Sequence, residues 1–437
     1  MRRITFFALI FVLLFGLSTT IYAQDEQVDT IKIGLFYGST AKESVLIASD
    51  GGFALGHEED GEFIADTELS ETQITVTAAS DGSICVGNYI YDPSAFPTLC
   101  PIEGNIFIGG DEYRGGVQFK RIDGGALTVI NVVGIEPYLY SVIGKEMSPS
   151  WNIEALKAQA VCARGFAISN YNKFQKYGFN LDNTTTSQVY KGVSTEKEST
   201  RKAVDETKGL VLKHDGKIIQ SIYCASMGGA SANAENVWGG KYPYLVSVKD
   251  PYENPEEATR YSWTVTLTNE EIKDILKNSK VDIGDILNVT IDEQDDAGYV
   301  TKLTFHGTED TYTVKRSSCR TIFGGKLHSQ RYTIEGNGGA NEKITLSAPD
   351  ISCDIPSSSS LFGGSILNIL KAVKQGFTES VADVPSQNNG QVTFNGNGWG
   401  HGVGMSQWGA KAMADSGKNF EEILTFYYTG TYLENIY

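Results

Sequence analysis

The stretch Ile153-Glu154-Ala155-Leu156-Lys157-Ala158-Gln159-Ala160-Val161-Cys162-Ala163-Arg164-Gly165-Phe166-Ala167-Ile168 sets the strongest constraint on how this chain can fold. Its apolar residues at 153, 156, 160, 163, 167 and 168 fall at the spacing of an amphipathic helix. Alanine is the best helix former, and its short side chain lets neighbouring elements come close. A helix of this kind has to be covered by other parts of the chain. Ser150 or Asn152 can cap its start, and Glu154 sits in the first turn, where the helix dipole favours negative charge.

What precedes this helix is β. Residues 30–37 begin with period-two alternation, residues 45–49 run into Asp50-Gly51-Gly52, and residues 73–78 are apolar at every second position. Residues 117–122 and 127–133, joined by an Asp-Gly-Gly turn, predict a meander within 106–133. Strands return at 209–212 and 218–223, and a short helix at 270–276 leads into further strands up to Val314. Ser, Pro and Asn cluster on both sides of a predicted helix at 366–373. Two helical pieces close the chain: one from Ser406 to Ala414, stopping near Gly417, and one capped by Asn419 with Glu422 three residues on.

The expected class is α+β: β-rich mixed sheets, an alanine-rich helix, and a helical C-terminal segment lining a substrate groove. The expected organisation starts with a signal peptide or N-terminal anchor (1–23) and a β-rich N-terminal region (24–104). The first part of a catalytic core (105–267) and a small inserted subdomain (268–334) follow. An accessory loop (335–390) leads to a C-terminal core segment with a glycine-rich motif (391–437).

Arg2 and Arg3, the apolar run 4–17 and the small residue Ala23 fit a secretory signal cleaved after Ala23. Uncleaved, residues 4–23 approach the ~20 residues that span a bilayer, and would make the protein membrane-anchored. Both readings place the rest of the chain outside the cytoplasmic membrane, secreted or in the cell envelope. A net charge of −17 without a basic cluster argues against nucleic acid as a partner. The 22 tyrosines and five tryptophans suit ring-shaped neutral ligands such as sugars. Six cysteines, at 85, 100, 162, 224, 319 and 353, leave disulfide pairing open, although Cys85 and Cys100 could close a short loop. No Cys-x-x-Cys or paired-histidine spacing supports a closed zinc site, so neither a metal nor a cofactor is expected.

Three constellations carry chemistry. Glu146, expected in a loop within Gly144-Lys145-Glu146-Met147-Ser148-Pro149-Ser150-Trp151, has apolar neighbours that would raise its pKa and suit it to general acid work. Tyr223-Cys224-Ala225-Ser226-Met227-Gly228-Gly229, followed by Trp238, offers backbone N–H groups, a hydroxyl and an indole for a sugar. Gly396-Asn397-Gly398-Trp399-Gly400-His401-Gly402-Val403-Gly404-Met405-Ser406-Gln407-Trp408 presents His401 and Gln407 among glycines, either as a tight strand-to-helix turn or as a bare-backbone groove.

Together these pieces resemble the family of stage II sporulation protein D and the LytB amidase enhancers. The resemblance is carried by Leu139-Tyr140-Ser141-Val142 with Glu146-Met147 and Trp151, and by the alanine-rich run from Glu154 through Ala163-Arg164. It continues in Ser187-Gln188-Val189-Tyr190-Lys191-Gly192, in Ser226 with Gly228-Gly229 and Trp238, in Pro243-Tyr244-Leu245 with Asp250, and in Gly400-His401-Gly402-Val403-Gly404-Met405-Ser406-Gln407 with Gly409-Ala410. It spans about residues 139–432, with weaker similarity back to Ile31.

The resemblance implies a cell-wall protein that acts on peptidoglycan glycan strands as a lytic transglycosylase, with Glu146 as the single acid/base. Arg164, Gln188, Tyr190, Ser226, Gly228, Gly229, Trp238, His401 and Gln407 would then bind substrate, the glycines letting a polysaccharide lie against backbone. Some sporulation members hold zinc near the Gln-Val-Tyr segment; Thr186 and Ser187 occupy that neighbourhood here. The other branch implies a non-catalytic enhancer with a cell-wall amidase as partner. A third reading, from the residues alone, is a thiol hydrolase using Cys224 and His401, which lacks an evident orienting residue.

Overall fold

A computed structural model describes residues 28–59, 62–122, 124–335 and 390–437. The signal or anchor segment, nearly all of the accessory loop with its expected helix, and Cys353 lie outside the described residues. The described residues are α+β, as expected, with eight helices and six sheets among them.

Period-two patterning in the first third builds two sheets. One runs in the order Leu181–Asp182, Thr30–Phe36, Leu127–Gly134, Gly116–Arg121, Thr98–Pro101, Phe53–Glu59, Glu62–Leu69. The other is ordered Asp111–Tyr113, Ile106–Ile108, Ser44–Ser49, Gln73–Ala78, Ile84–Val86, Tyr89–Tyr91. The expected hairpin forms, with Arg121 opposite Leu127. Apolar side chains from both sheets, Ile33, Phe119 and Val129 from one and Ile47, Val76 and Ile106 from the other, join a single core. Cys85 and Cys100 fall on different sheets and are free thiols.

The helices are α1 (Ile135–Glu146), α2 (Ile153–Ser169), α3 (Glu198–Asp205), α4 (Ala234–Trp238), α5 (Asn269–Asn278), α6 (Ser318–Thr321), α7 (Gln407–Asp415) and α8 (Phe420–Tyr427). The alanine-rich helix is α2, capped by Asn152, whose side chain accepts from the Glu154 N–H at 3.0 Å. Its small residues are covered as they require: α1, α3, α7, α8 and the Leu210–His214 strand all pack on it. The expectation that Glu146 lies in a loop is corrected, because it is the last residue of α1. A proline in a helix interior breaks the helix. Pro137 falls in the first turn, however, where a missing N–H costs nothing.

A second core, separate from the first, is built by Trp263, Leu267, Ile272, Val289, Leu303 and Phe394 among others. It takes in the Ser262–Thr268 and Gln391–Asn397 strands, which pair antiparallel, so this core draws on residues on both sides of 268–334. Pairing between strands so distant in sequence leaves no local signature.

One buried ion pair ties the first core together. Arg164 on α2 is fully buried; its Nε donates to Glu136 Oε1 at 2.9 Å and its Nη2 to Oε2 at 2.6 Å. Nη1 reaches the Leu210 carbonyl at 3.0 Å, and the Gly209 N–H donates to Glu136 at 3.1 Å. Removing one partner would strand a charge in the interior, so Arg164→Leu should cost about 3–5 kcal/mol. Adding Glu136→Leu should recover most of it. Urea unfolding of the three proteins checks this, and a single-variant loss below about 1 kcal/mol would contradict the assigned role.

Candidate active site

Glu146 ends α1, where the helix dipole and burial both disfavour its charge. Burial raises its carboxyl above the usual 4.5, against opposing hydrogen bonds from Gln407 and the Val189 backbone and the nearby charge of Lys145. Gln407 Nε2 donates to Glu146 Oε2 at 3.3 Å and lies 3.4 Å from Gln159 Oε1. Gln188 underlies the site: its Oε1 accepts from the Tyr138 hydroxyl at 3.1 Å, and its Nε2 donates to the Tyr223 hydroxyl at 3.0 Å. Burial first, with Glu146 among the further causes, pushes both phenols well above their ordinary range, so both stay protonated. The result is one carboxyl that favours holding a proton, facing neutral phenols and amides.

Gln407 reaches this place because Ser406 caps α7, its Oγ accepting from the Gly409 N–H at 3.0 Å. The same hydroxyl donates to Glu253 Oε1 at 2.6 Å. Glu253 is buried and also accepts from the N–H groups of Met227 at 3.0 Å and Gly228 at 2.7 Å. Burial raises its carboxyl, and Asp250 adds to that, against the Ser406 and Met227 donors. Met405-Ser406 pairs in parallel with Tyr223-Cys224. This two-stranded connection fixes the α7 N-terminus beside Glu146.

The glycine-rich motif lies against the protein's own chain. A Cβ on Gly400, whose φ is 119°, would meet Cys224 Cβ at 2.8 Å, and one on Gly404 would collide with the Ile222 carbonyl. The surface these glycines admit is the 222–228 segment, and the expectation of a bare floor for sugar is corrected accordingly. The same holds for Gly228-Gly229: the Gly228 N–H is taken by Glu253, and the Gly229 carbonyl accepts from the Asp250 N–H at 3.0 Å.

The other sequence-derived residues divide into two groups. Arg164 is enclosed by Glu136 and offers no surface to a ligand. Tyr190 is likewise enclosed, its hydroxyl donating to Asn131 at 2.7 Å. Ser226 is buried and its backbone bridges to Trp399. Gln407 and Gln188 lie close to Glu146, whereas Trp238 is 42% exposed with its ring 5.1 Å from the half-buried His401 ring. Trp399 is 40% exposed and stacks under Arg260 at 4.4 Å.

His401 cannot serve as an imidazolium at neutral pH. Its Nδ1 accepts from the Val403 N–H at 3.0 Å, and burial, aided by the Arg320 charge, lowers its pKa to about 4. Burial pushes the Cys224 thiol up to about 12. A thiolate–imidazolium pair needs the opposite shifts, so the thiol reading has no support.

Sequence reasoning missed Tyr138, Tyr223, Gln159 and Glu253. Gln159 Nε2 is buried without a hydrogen-bond partner among the described residues, a donor left over beside Gln407 and Glu146. Gln159 sits inside the alanine-rich run, where one buried amide on a helix otherwise covered by small residues was the available signal.

With this geometry in place, comparison with known proteins places the chain. Residues 123–214 match the family described as Stage II sporulation protein. The chain is 33% identical over 324 residues to an uncharacterized protein of Brachyspira hyodysenteriae, covering 74% of this chain and 72% of that one. It belongs to the SpoIID/LytB family. It is also 30% identical to an amidase enhancer of Bacillus subtilis, over 68% of this chain but only 40% of that longer protein. Stage II sporulation protein D of Bacillus subtilis is 28% identical, over 68% of this chain and 74% of the other. Family membership supports a role connected with the cell wall.

The His401 shift makes a direct prediction. Its ring should stay neutral through pH 5.5 in a nitrogen-detected NMR titration, and His401→Asn should remove its signal without moving those of the other histidines. Unfolded histidine binds a proton near pH 6.5 and folded His401 only near 4, so this residue should reduce stability progressively as pH falls between those values. A folded pKa of 6 or above would contradict the assignment.

Proposed function

We propose that the protein is a lytic transglycosylase of peptidoglycan glycan strands, acting outside the cytoplasmic membrane, with Glu146 as acid and then base. The observation that carries this reading is a solitary, sheltered carboxyl whose pKa is raised while its orientation is fixed by Gln407 and Val189. An ordinary glycosidase pairs two carboxylates roughly 5–9.5 Å apart. Glu136 lies ten residues earlier on the same helix, roughly 15 Å away at 1.5 Å per residue, and is held by Arg164. The oxygens of Glu253 are engaged by Ser406, Met227 and Gly228.

A single carboxyl suffices if the substrate supplies its own nucleophile. Glu146 donates its proton to the glycosidic oxygen, which leaves as a sugar hydroxyl. The muramic acid C6 hydroxyl closes on the anomeric carbon, and its proton returns to Glu146, leaving an anhydro end. Tyr138, Tyr223 and Gln188 provide neutral surroundings that keep the carboxyl protonated before the step. Exposed Trp238 and Trp399 offer stacking faces for sugar rings.

A second reading draws on the printed name of one relative, the amidase enhancer: the chain would stimulate a cell-wall amidase without cutting glycan.

Glu146→Gln should reduce glycan cleavage to background, a loss of at least ~10²–10⁴-fold, while strand binding survives. The assay is peptide-stripped peptidoglycan followed by mass analysis for dehydrated muramic ends. Wild type giving no product but accelerating an added amidase would favour the enhancer reading.

Cleavage should decline as pH rises through the Glu146 pKa, which lies above 4.5. Gln407 donates to the carboxylate and so favours its charged form. Gln407→Leu should therefore move the alkaline limb of the pH profile to higher pH, and an unmoved limb would reject the pairing. Cys224→Ser should leave cleavage largely intact; loss of turnover in a folded Cys224→Ser protein would bring the thiol back.

A further inference from the structure

The sheet formed by Ser262–Thr268, Gln391–Asn397 and Tyr332–Glu335 buries alternate residues in the second core and turns the others outward. Thr264, Asn395 and Thr333 form one outward row, and Thr266 and Thr393 the next. Along these three strands the only charged outward residue is Glu335. A chain of net charge −17 has many acidic residues to place on its surface, yet this face carries hydroxyls and amides instead.

At one end of that face lies a cavity of about 600 Å³, lined by residues that include Ser262, Thr264, Gln294, Asn395, Asn397 and Arg331. That volume falls in the range of small-ligand sites. Arg331 is the single charged residue in the lining, and it is fixed: Nε donates to the Ala297 carbonyl at 2.7 Å and Nη1 to the Gly228 carbonyl. No carboxylate pairs with it among the described residues. Thr264 donates to Asn395 Oδ1 at 2.7 Å, which turns the Asn395 amide nitrogen into an available donor. The strand that lines the cavity at Asn395-Gly396-Asn397 continues directly into exposed Trp399, half-buried His401 and buried Gln407. Arg331 also bonds the same Gly228 that Glu253 holds.

We propose that this cavity is a second saccharide site, separate from Glu146, that binds an N-acetylated sugar unit bearing a free carboxylate, with Arg331 as the partner of that carboxylate. Amides and hydroxyls would take the acetamido and ring hydroxyl groups, and the guanidinium N–H groups that remain after the bonds to Ala297 and Gly228 suit a carboxylate. The assignment rests on the reading of this protein as one that handles wall glycan. Two sources share the chemistry: the lactyl carboxylate of a muramic unit without peptide, and the carboxylate of an attached stem peptide.

The test uses full-length Glu146→Gln protein, in which cleavage does not consume the probe. Three probes are titrated by NMR: an N-acetylglucosaminyl-N-acetylmuramic acid disaccharide, the same disaccharide with its lactyl carboxylate converted to an amide, and the same disaccharide carrying a stem peptide. The acid or peptide form should shift the Asn395 and Asn397 side-chain amides and Arg331 Nε, and the neutral amide should bind at least tenfold more weakly. A response to the plain acid assigns the lactyl group, and a response to the peptide form alone assigns the stem. Thr333→Glu and Thr264→Glu, exposed positions that bring negative charge to the cavity, should each weaken whichever carboxylate form binds at least tenfold with the fold intact by circular dichroism. Equal binding of the neutral probe and of both carboxylate-bearing probes, or shifts confined to residues around Glu146, would overturn the proposal. Cleavage by the Thr333→Glu protein with Glu146 restored reads the other site independently. Absence of cleavage there and in wild type would remove the transglycosylase reading without touching the cavity result.

Discussion

The contact between residues 398–406 and the 222–228 segment organises the surroundings of Glu146. The two are joined by reciprocal backbone bonds between Ser226 and Trp399 at 2.8 and 3.1 Å, and by the Met405 N–H to the Ile222 carbonyl at 3.1 Å. Glycines make so close an approach sterically possible, since a side chain at Gly400 or Gly404 would strike the partner segment. Glu253 then clamps both sides, accepting from Met227 and Gly228 on one and from Ser406 on the other. Buried without those donors, its carboxylate would be a serious cost, and with them it fixes the register of the contact.

The placement of Gln407 is downstream of that clamp. Ser406 caps α7, so Gln407 opens the helix and meets Glu146, which arrives from the far end of α1. The position of α1 is in turn set by the Glu136–Arg164 pair and by packing on α2. Burial raises the carboxyls of both Glu253 and Glu146, but Glu136 and Glu253 fasten segments together, whereas Glu146 stands at the end of α1 with only Gln407 and the Val189 backbone as hydrogen-bond donors. The division follows from partners: Glu136 has a guanidinium, Glu253 has two N–H groups and a hydroxyl, and Glu146 has weaker donors and a helix C-terminus.

The same stretch of chain ties the second core to the site. Gln391–Asn397 belongs to the second core, yet a few residues later the chain has become the wall next to Glu146. A ligand held beside Asn395 and Arg331 would therefore lie along one continuous run of chain with the proposed catalytic residue. Rigid backbone pairing, with Arg331 bonded to Gly228, connects the two regions.

Local patterns in the sequence determined the elements. Alternation gave the strands at 30–36 and 73–78, the alanine stripe gave α2 and required it to be covered, and the Asn419/Glu422 box gave the start of α8. These succeed because capping, propensity and periodicity act over a few residues. The family motifs likewise singled out Glu146 and Gln407 as residues of interest. Only the tertiary structure decided what each does. It turned Arg164 and Tyr190 inward to buried partners and spent the glycines on the chain's own backbone. It also held His401 neutral and added Tyr138, Tyr223 and Gln159 to the surroundings of Glu146. Those outcomes depend on burial and on hydrogen bonds between residues as far apart as Glu146 and Gln407, and neither quantity is written in any local stretch of sequence.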